Sequence, residues 1–358
     1  MARALTGGRV IDLRVADEGD DADLRAMLRG NPMPSWVTMT VEREPSFLDS
    51  LNRFGCELAV IARDNDNGSP VGMYSCAEHH VHIDGQPTTL GYLGGLRVNP
   101  AYRHRLRVLR EGYASIRALS GVRNPSLWYT SVAAENAPAR RLLEAGLPGL
   151  PRYVALGELV TLALPRERGR RLGLWRRPKA SEIDSLCALH SMSAARYQLS
   201  PVLTPEWINS SRVDFLVRGG SDRITACSAL WNQQAYKQVV ARAYRWPLAT
   251  GLPLYNAWAR LTRRITLPPL NQPLDQCFLA FFASDTEDAR EVVLLVRDAL
   301  ANCPSAVLTL GLHGTHPALP ALLRAFRPAS YRTIIYAVCF DQPPQWGSRP
   351  VQPEVAIL

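Results

Sequence analysis

Residues 93–119 read LGGLRVNPAYRHRLRVLREGYASIRAL. The stretch is an apolar strand end, a proline-marked turn and an arginine-rich loop that opens a helix. A helix start carries unpaired backbone N–H groups and partial positive charge, so it can seat a phosphate. Arg103, Arg105, Arg107 and Arg110 add full charges around that seat. The chemistry this pattern suits is the holding of a polyanion. A second cluster, EHHVH at residues 78–82, invites a metal, because His80 and His82 share one face of a strand. No Cys or Asp cluster complements them, so a polar hairpin without metal is expected. No G-x-S-x-G, Walker-type loop or dinucleotide fingerprint points to another enzyme class.

The elements that must position these residues follow from periodicity and turn chemistry. Residues 10–15 read as a strand and 20–28 as a helix with acids in its first turn. Residues 36–52 are expected to be partly helical. Residues 58–63 and 71–83 read as a hairpin around the DNDNGS turn, and Asp84-Gly85 turns the chain into a third strand, 88–98. Gly91, Gly94 and Gly95 interrupt that strand, which marks a bulge or the close approach of a ligand. A helix over 108–119 presents Leu109, Tyr113 and Ile116 on one face. A strand over 127–132, a short helix over 135–144 and a last strand over 153–164 complete the series. The charged segment PRERGRR, 165–171, reads as a linker.

Beyond that linker the pattern starts again. Residues 13–27 can be laid on 175–189, 58–77 on 215–232, and 127–147 on 306–326. The second copy is longer by about 17 residues. The surplus is placed at 245–272, rich in Pro, Trp and Leu, whose amphipathic stretch 254–264 is expected to cap a pocket or pack on the first half. The tail, 342–358, has four prolines and is expected to be extended.

This order of elements resembles the GNAT superfamily of acyl-CoA-dependent N-acyltransferases, well over residues 10–164 and more faintly over 171–340. In that family a strand ends in Val-x-Pro-x-x-Arg, and an R/Q-x-x-G-x-G/A loop then wraps the CoA pyrophosphate. Here Val98-Asn99-Pro100-Ala101-Tyr102-Arg103 keeps the first frame, followed by His104-Arg105-Leu106-Arg107-Val108. Leu106 and Val108 replace the small residues, so the loop must sit further out or turn these side chains away. The arginines can compensate with charge-assisted contacts. Asn136 and Ala139 match the family's N-x-x-A frame, which implies that Asn136 reaches the pantetheine arm; it also suits a helix N-cap, with Pro138 in the first turn. The Tyr that often serves the family as general acid is replaced by Leu143.

The resemblance implies acyl transfer to an amine by direct attack, which needs an oxyanion site, a proton acceptor and little else. Backbone N–H groups around Leu96, Arg97 and Val98 are the expected oxyanion site. Glu78 is the expected base, with Tyr129 and Tyr153 as candidate acids. The acyl-CoA site that the resemblance implies comprises Leu96, Arg97, Val98, Arg103, His104, Arg105, Leu106, Arg107, Val108 and Asn136, with acetyl-CoA or another acyl-CoA as the expected co-substrate. In the second half the equivalent loop, near 284–291, carries Asp285, Glu287, Asp288 and Glu291, which repel a polyanion. Only the first half is therefore expected to bind CoA; the second shapes the acceptor pocket, stiffens the first, or mediates assembly, a homo-oligomer included.

Length and composition agree. A chain of 358 residues, 47% apolar and 20% charged, suits two packed units. The fold class expected is α/β (α+β): two tandem GNAT-like domains, 1–164 and 172–341, each a mixed, mostly antiparallel sheet flanked by helices. Net charge is +9, which fits an anionic partner, but the basic residues are too scattered for a nucleic-acid surface. Seven cysteines, none in a CxxC pair, argue for reduced thiols in the cytoplasm. The N-terminal residues lack a signal-peptide core, and no run has the ~20 apolar residues of a membrane span, so no membrane partner is expected. The resemblance implies a small-molecule or peptide amine as acceptor. The alternative is a non-catalytic acyl-CoA-binding or structural protein on a degenerate GNAT fold.

Overall fold

Two turns fold the early chain back on itself. Gly68 in the first, and Asp84 with Gly85 in the second, adopt left-handed backbone, which Gly and Asp tolerate best. The computed structural model describes residues 11–33, 35–119, 125, 127–220 and 223–358; the first ten residues, part of the N-terminal stretch read for a targeting signal, lie outside them. After β1 (Ile11–Val15), α1 (Asp21–Arg29) and β2 (Val37–Glu42), the two turns join β3 (Cys56–Asp64), β4 (Pro70–Ile83) and β5 (Gln86–Val98) into an antiparallel meander. Then come α2 (Leu106–Leu119), β6 (Trp128–Ala133), α3 (Ala137–Glu144) and β7 (Arg152–Pro165). The second half opens with α4 (Ile183–Ala194), α5 (Pro205–Ser210), β8 (Asp214–Gly219), β9 (Ile224–Trp231) and β10 (Gln238–Tyr244). It continues through α6 (Leu248–Leu261), β11 (Gln276–Ser284), α7 (Ala289–Asn302), β12 (Val307–His313), α8 (Leu319–Phe326) and β13 (Ala329–Cys339).

One local expectation fails. Residues 36–52 are not helical: they form β2 and a single 3-10 turn, Leu48–Ser50. The alternation VTMTVE is a strand pattern, and its partner is β10 of the other half, which it meets antiparallel. A partner so distant in sequence leaves no local trace.

The sheet has eleven strands in the order β1-β3-β4-β5-β6-β13-β7-β12-β11-β9-β8. The halves exchange their last strands. β13 enters between β6 and β7, and β7 pairs with β12. One face packs on α2 and α3 around Tyr74, Leu93, Tyr113, Ile116 and Trp128, and on α7 and α8 in the second half. The opposite face packs on α1 and on α4 and α5, in a cluster that runs across both halves. All seven cysteines are free and five are buried.

Each half contains one parallel strand pair that starts together and then separates. β5 meets β6 only from Gly91 to Leu93 against Trp128 to Thr130. Gly91 makes the vertex: a Cβ there would lie 2.2 Å from the Trp128 ring. Gly91→Ala must therefore displace a buried indole, an overpacking cost of about 1–3 kcal/mol. Thermal unfolding should show a Tm several degrees lower; an unchanged Tm would refute the tight vertex.

Candidate active site

The edge of β5 that faces β6 is satisfied at the vertex. Gly91 N–H donates to Leu127 O at 3.0 Å, and Leu93 O accepts from Thr130 Oγ1 at 2.6 Å. Beyond it the strand bulges. Gly94 opposes Ser75 and Arg97 opposes Met73, so Gly95 and Leu96 together face Tyr74. Gly95 has φ +62°, which glycine adopts without strain. Asn99 N–H donates to Val71 O at 2.8 Å. By alternation Arg97 faces β4, while the N–H groups of Leu96 and Val98 face the divergence. Donors fixed on such an edge suit a carbonyl oxygen that becomes an oxyanion. Beside them Arg97 is desolvated, which lowers its pKa; its Nε is buried without a hydrogen-bond partner among the described residues.

The arginine loop lies past the end of β5. Asn99 Oδ1 accepts from Ala101 N–H at 3.1 Å and turns the chain into α2. The arginines fan outward instead of converging. Arg103 donates to Val98 O at 3.2 Å and to Asn31 Oδ1 at 2.5 Å. Arg105 stacks 4.8 Å from the Tyr102 ring, Arg107 donates to Glu111 at 2.6 Å, and Arg110 reaches Pro148 O at 2.8 Å. His104 is exposed and Leu106 half-buried. Val108 is turned inward onto Ile11, Ala62 and Val71, so this replacement for a small loop residue is a core anchor. A cavity of about 210 Å³ lies between Ile11, Arg105, Arg107, Val108 and Glu111. A larger concavity, about 400 Å³, sits away from the divergence on the outer side of α4. Asn136 caps α3, accepting from Ala139 N–H at 3.3 Å.

The three candidate catalytic side chains are not brought together. Glu78 shares its face of β4 with Cys76, the α2 side, and is half-buried. Tyr153 lies on that same side, hydrogen-bonded to Tyr113. Tyr129 lies on the opposite face at the vertex, fully buried. Burial pushes both phenols well above the usual tyrosine range. The Tyr129 hydroxyl is 2.6 Å from His79 Nδ1, and His79 stacks on Tyr92, whose hydroxyl is 3.0 Å from Ser131 Oγ. Burial lowers the His79 pKa, His80 and Lys237 add to it, and Lys237 donates to Leu358 O at 2.6 Å. Burial first, and the Arg43 guanidinium second, pull the Lys237 ammonium down to about 8. Sequence reasoning missed Lys237, Tyr92 and Ser131. One signal was available: Lys237 is one of two lysines among 41 basic residues, and only lysine among these can lose its proton near neutral pH. No group of three His, Cys, Asp or Glu among the described residues converges as metal ligands.

The second half repeats the bulge but fills the divergence with its own chain. Ala280 opposes Ala229 and Ala283 opposes Cys227, so Phe281 and Phe282 together face Ser228. Phe281 takes φ +54°, a conformation strained for a bulky residue, and its ring is held against Phe54, Trp207, Phe215 and Trp231. Its N–H donates to Glu354 Oε2 at 2.7 Å. Val355 packs on Gly311 of β12, and Gln352 Oε1 accepts from His313 N–H at 3.2 Å. The tail thus occupies the place that β5 and β6 leave between them in the first half. The four acids of the second loop have internal partners. Asp285 pairs with Arg223, Glu287 with Arg196 and Glu291 with Arg218, and Asp288 caps α7. Thr315, in the place of Asn136, is bonded to His313.

The buried imidazoles set an acid limit. Burial lowers His79 and His190 to about 3 and His316 to about 4, from an ordinary 6.5. The unfolded chain binds these protons first, so their contribution to stability is present above about pH 6.5 and lost as pH falls. Glu354 acts in the opposite sense: burial raises it to about 7, so its contribution is lost as pH rises from about 4.5 through 7. Urea midpoints should fall between pH 6.5 and 4.5, less steeply in His79→Gln and more steeply in Glu354→Gln. Identical slopes in all three proteins would contradict these assignments.

No protein-family model matches the chain, and no curated protein matches it in sequence. Solved structures do. Saccharomyces cerevisiae N-myristoyltransferase with bound myristoyl-CoA is similar at TM-score 0.61 and 13% identity, over 96% of this chain and 89% of that one. A second structure of that enzyme with bound myristoyl-CoA gives 0.62 and 13%, over 94% and 80%. A third, with myristoyl-CoA and inhibitors, gives 0.59 and 13%, over 96% and 83%. At this identity the likeness is one of fold: a GNAT-like mixed α/β architecture, a large and mostly antiparallel sheet flanked by helices.

Proposed function

We propose that this chain is an acyl-CoA-dependent N-acyltransferase. It binds the acyl-CoA in its first half, where β5 and β6 diverge, and passes the acyl group to a small-molecule or peptide amine by direct attack. The observation that carries this reading is the bulged edge of β5, with the Leu96 and Val98 N–H groups facing the divergence. The myristoyl-CoA bound in the similar yeast structures supports an acyl-CoA donor, and makes a long acyl chain a candidate beside acetyl. We read residues 1–164 and 172–341 as two GNAT-like units joined at 165–171. The tail, 342–358, fills the second unit's divergence and keeps it from taking a cofactor, and it meets the first unit where Gly347 N–H donates to Asp84 at 3.0 Å.

In this account the loop before α2 and the first turn of α2 face the CoA phosphates with Arg103, His104, Arg105 and Arg107. Leu106 and Val108 shape the loop from within, and Asn136 faces the pantetheine arm from the head of α3. Arg97 lines the divergence. The Leu96 and Val98 N–H groups hold the thioester oxygen and strengthen their hold as it becomes an oxyanion. The amine nitrogen attacks the carbonyl carbon, the oxyanion collapses, and the C–S bond breaks. A thiol of pKa about 8.5 leaves readily as thiolate, so the buried phenol of Tyr129 and the half-buried phenol of Tyr153 need not donate. The amine proton goes to neutral Lys237, with His79, Tyr129, Tyr92 and Ser131 as the polar wall around it; Glu78, on the α2 side, is the alternative acceptor. Free, mostly buried cysteines suit a cytoplasmic enzyme.

The test is amine-dependent release of CoA thiol from acetyl-CoA and myristoyl-CoA across an amine panel, with the amide product identified by mass. Leu143, in the place of a tyrosine the family often uses, favours the alternative of a binding protein without chemistry. Acyl-CoA binding with no amide formed from any amine would establish that alternative.

A further inference from the structure

The second half carries a surface that the proposed reaction does not use. Helix α6 presents Leu254, Trp258 and Leu261 at the i, i+4, i+7 spacing of one helical stripe. They are 78, 46 and 85% exposed, where such side chains are ordinarily covered. At the N-terminal end of the helix Trp246 is 78% exposed, beside Trp36 at 60%. The stripe is not a packing face left bare by a loose helix. The other side of α6 is fastened: Asn256 donates to Leu267 O and accepts from its N–H, both at 2.9 Å. Arg168 takes the carbonyls of Thr262 and Arg263, both at 3.0 Å.

The charges around the stripe have one sign. Residues 243–274 contain four Arg and no Lys, Asp or Glu. Arg260 and Arg263 are exposed at the C-terminal end of α6. Arg264 lies 5.0 Å from the Trp258 ring and Arg245 lies 5.8 Å from the Trp36 ring. Indole and leucine flanked by guanidinium is the composition of a helix that lies in a lipid interface: apolar side chains enter the acyl boundary, tryptophan sits at headgroup depth, and arginine meets phosphate. A second copy of the chain would bring two arginine clusters together and is disfavoured on charge. Nucleic acid would use the arginines but leave the leucines in water.

We propose that α6, with Trp246 and Trp36 at its end, docks this protein on the surface of an anionic membrane. No helix among the described residues is long and apolar enough to cross one. The contact is peripheral, and it departs from the expectation of no membrane partner because a surface helix needs no span. It stands independently of the proposed acyl transfer.

The test is cosedimentation of the full chain with phosphatidylcholine vesicles containing about a quarter phosphatidylglycerol, and with phosphatidylcholine alone. Wild type should bind the anionic vesicles and bind neutral ones weakly. Leu254→Glu/Leu261→Glu should lower the partition at least about tenfold, and Arg260→Ala/Arg263→Ala should lower it and flatten its salt dependence. Near-ultraviolet circular dichroism identical to wild type would show that these exposed substitutions leave the fold intact. Failure of wild type to sediment, or undiminished sedimentation of Leu254→Glu/Leu261→Glu, would overturn the proposal. So would a dimer that the leucine variant abolishes without vesicle binding, or duplex DNA binding that depends on the arginines alone.

Discussion

Replacing Lys237 with methionine is expected to lower kcat/KM for amine acylation by about 10²–10⁴-fold, the usual worth of a positioned general base, with acyl-CoA affinity unchanged. The lysine lies on the His79 face of the vertex and exchanges its proton near neutral pH, because burial and Arg43 hold it at about 8. A base works deprotonated, so wild-type kcat/KM should rise as pH passes about 8. In Lys237→Met that limb should vanish. Lys237→Arg separates charge from proton transfer: it keeps a cation that cannot be deprotonated, and should be as inactive as the methionine variant. Activity in Lys237→Arg close to wild type would remove Lys237 as the base and return attention to Glu78, on the other side of the sheet.

The second large effect is on binding. Arg103 and Arg105 replaced together by alanine should weaken acyl-CoA binding by about 3 kcal/mol, roughly 10²-fold in Kd, if both reach phosphate. The acceptors that hold Arg103 now, Val98 O and Asn31 Oδ1, are neutral, so its charge is available to an anion. Arg107 already faces Glu111, and its removal alone should matter less. Arg105→Glu should exceed Arg105→Ala, because it adds repulsion to the loss of a donor. Titration of CoA and 3′-dephospho-CoA into each variant reads these differences. Equal affinity in wild type and the double alanine variant would mean that the outward fan of these side chains persists when CoA binds.

Much of the first half was legible because its signals are local. DNDNGS and Asp84-Gly85 specify turns by backbone chemistry, and the period of residues 58–98 can only be a meander. The Val98-to-Arg103 frame falls on the turn before α2 and Asn136 on the cap of α3, and three glycines announced a bulge. The second half also yielded its acids, which the structure ties to Arg223, Arg196 and Arg218. What stayed hidden depends on contacts between distant residues. Nothing near residues 37–42 says that β10 will pair with them. Nothing in either half announces that β7 and β13 change places. The tail reads as extended from its prolines, but that Glu354 would meet the Phe281 N–H follows only from the fold. Lys237 escaped notice because a lone lysine looks like surface until its burial is seen, although its rarity beside so many arginines was visible throughout.

We propose that one divergence, between β5 and β6, takes acyl-CoA while the tail closes its counterpart. Calorimetric titration with acetyl-CoA and myristoyl-CoA, alongside free CoA, tests it most directly. The account predicts one site per chain, weakened in Arg103→Ala/Arg105→Ala and unchanged by substitution of Asp285 and Glu287 in the second loop. Two sites per chain would contradict the closed second half, and no binding of any acyl-CoA would contradict the account at its base.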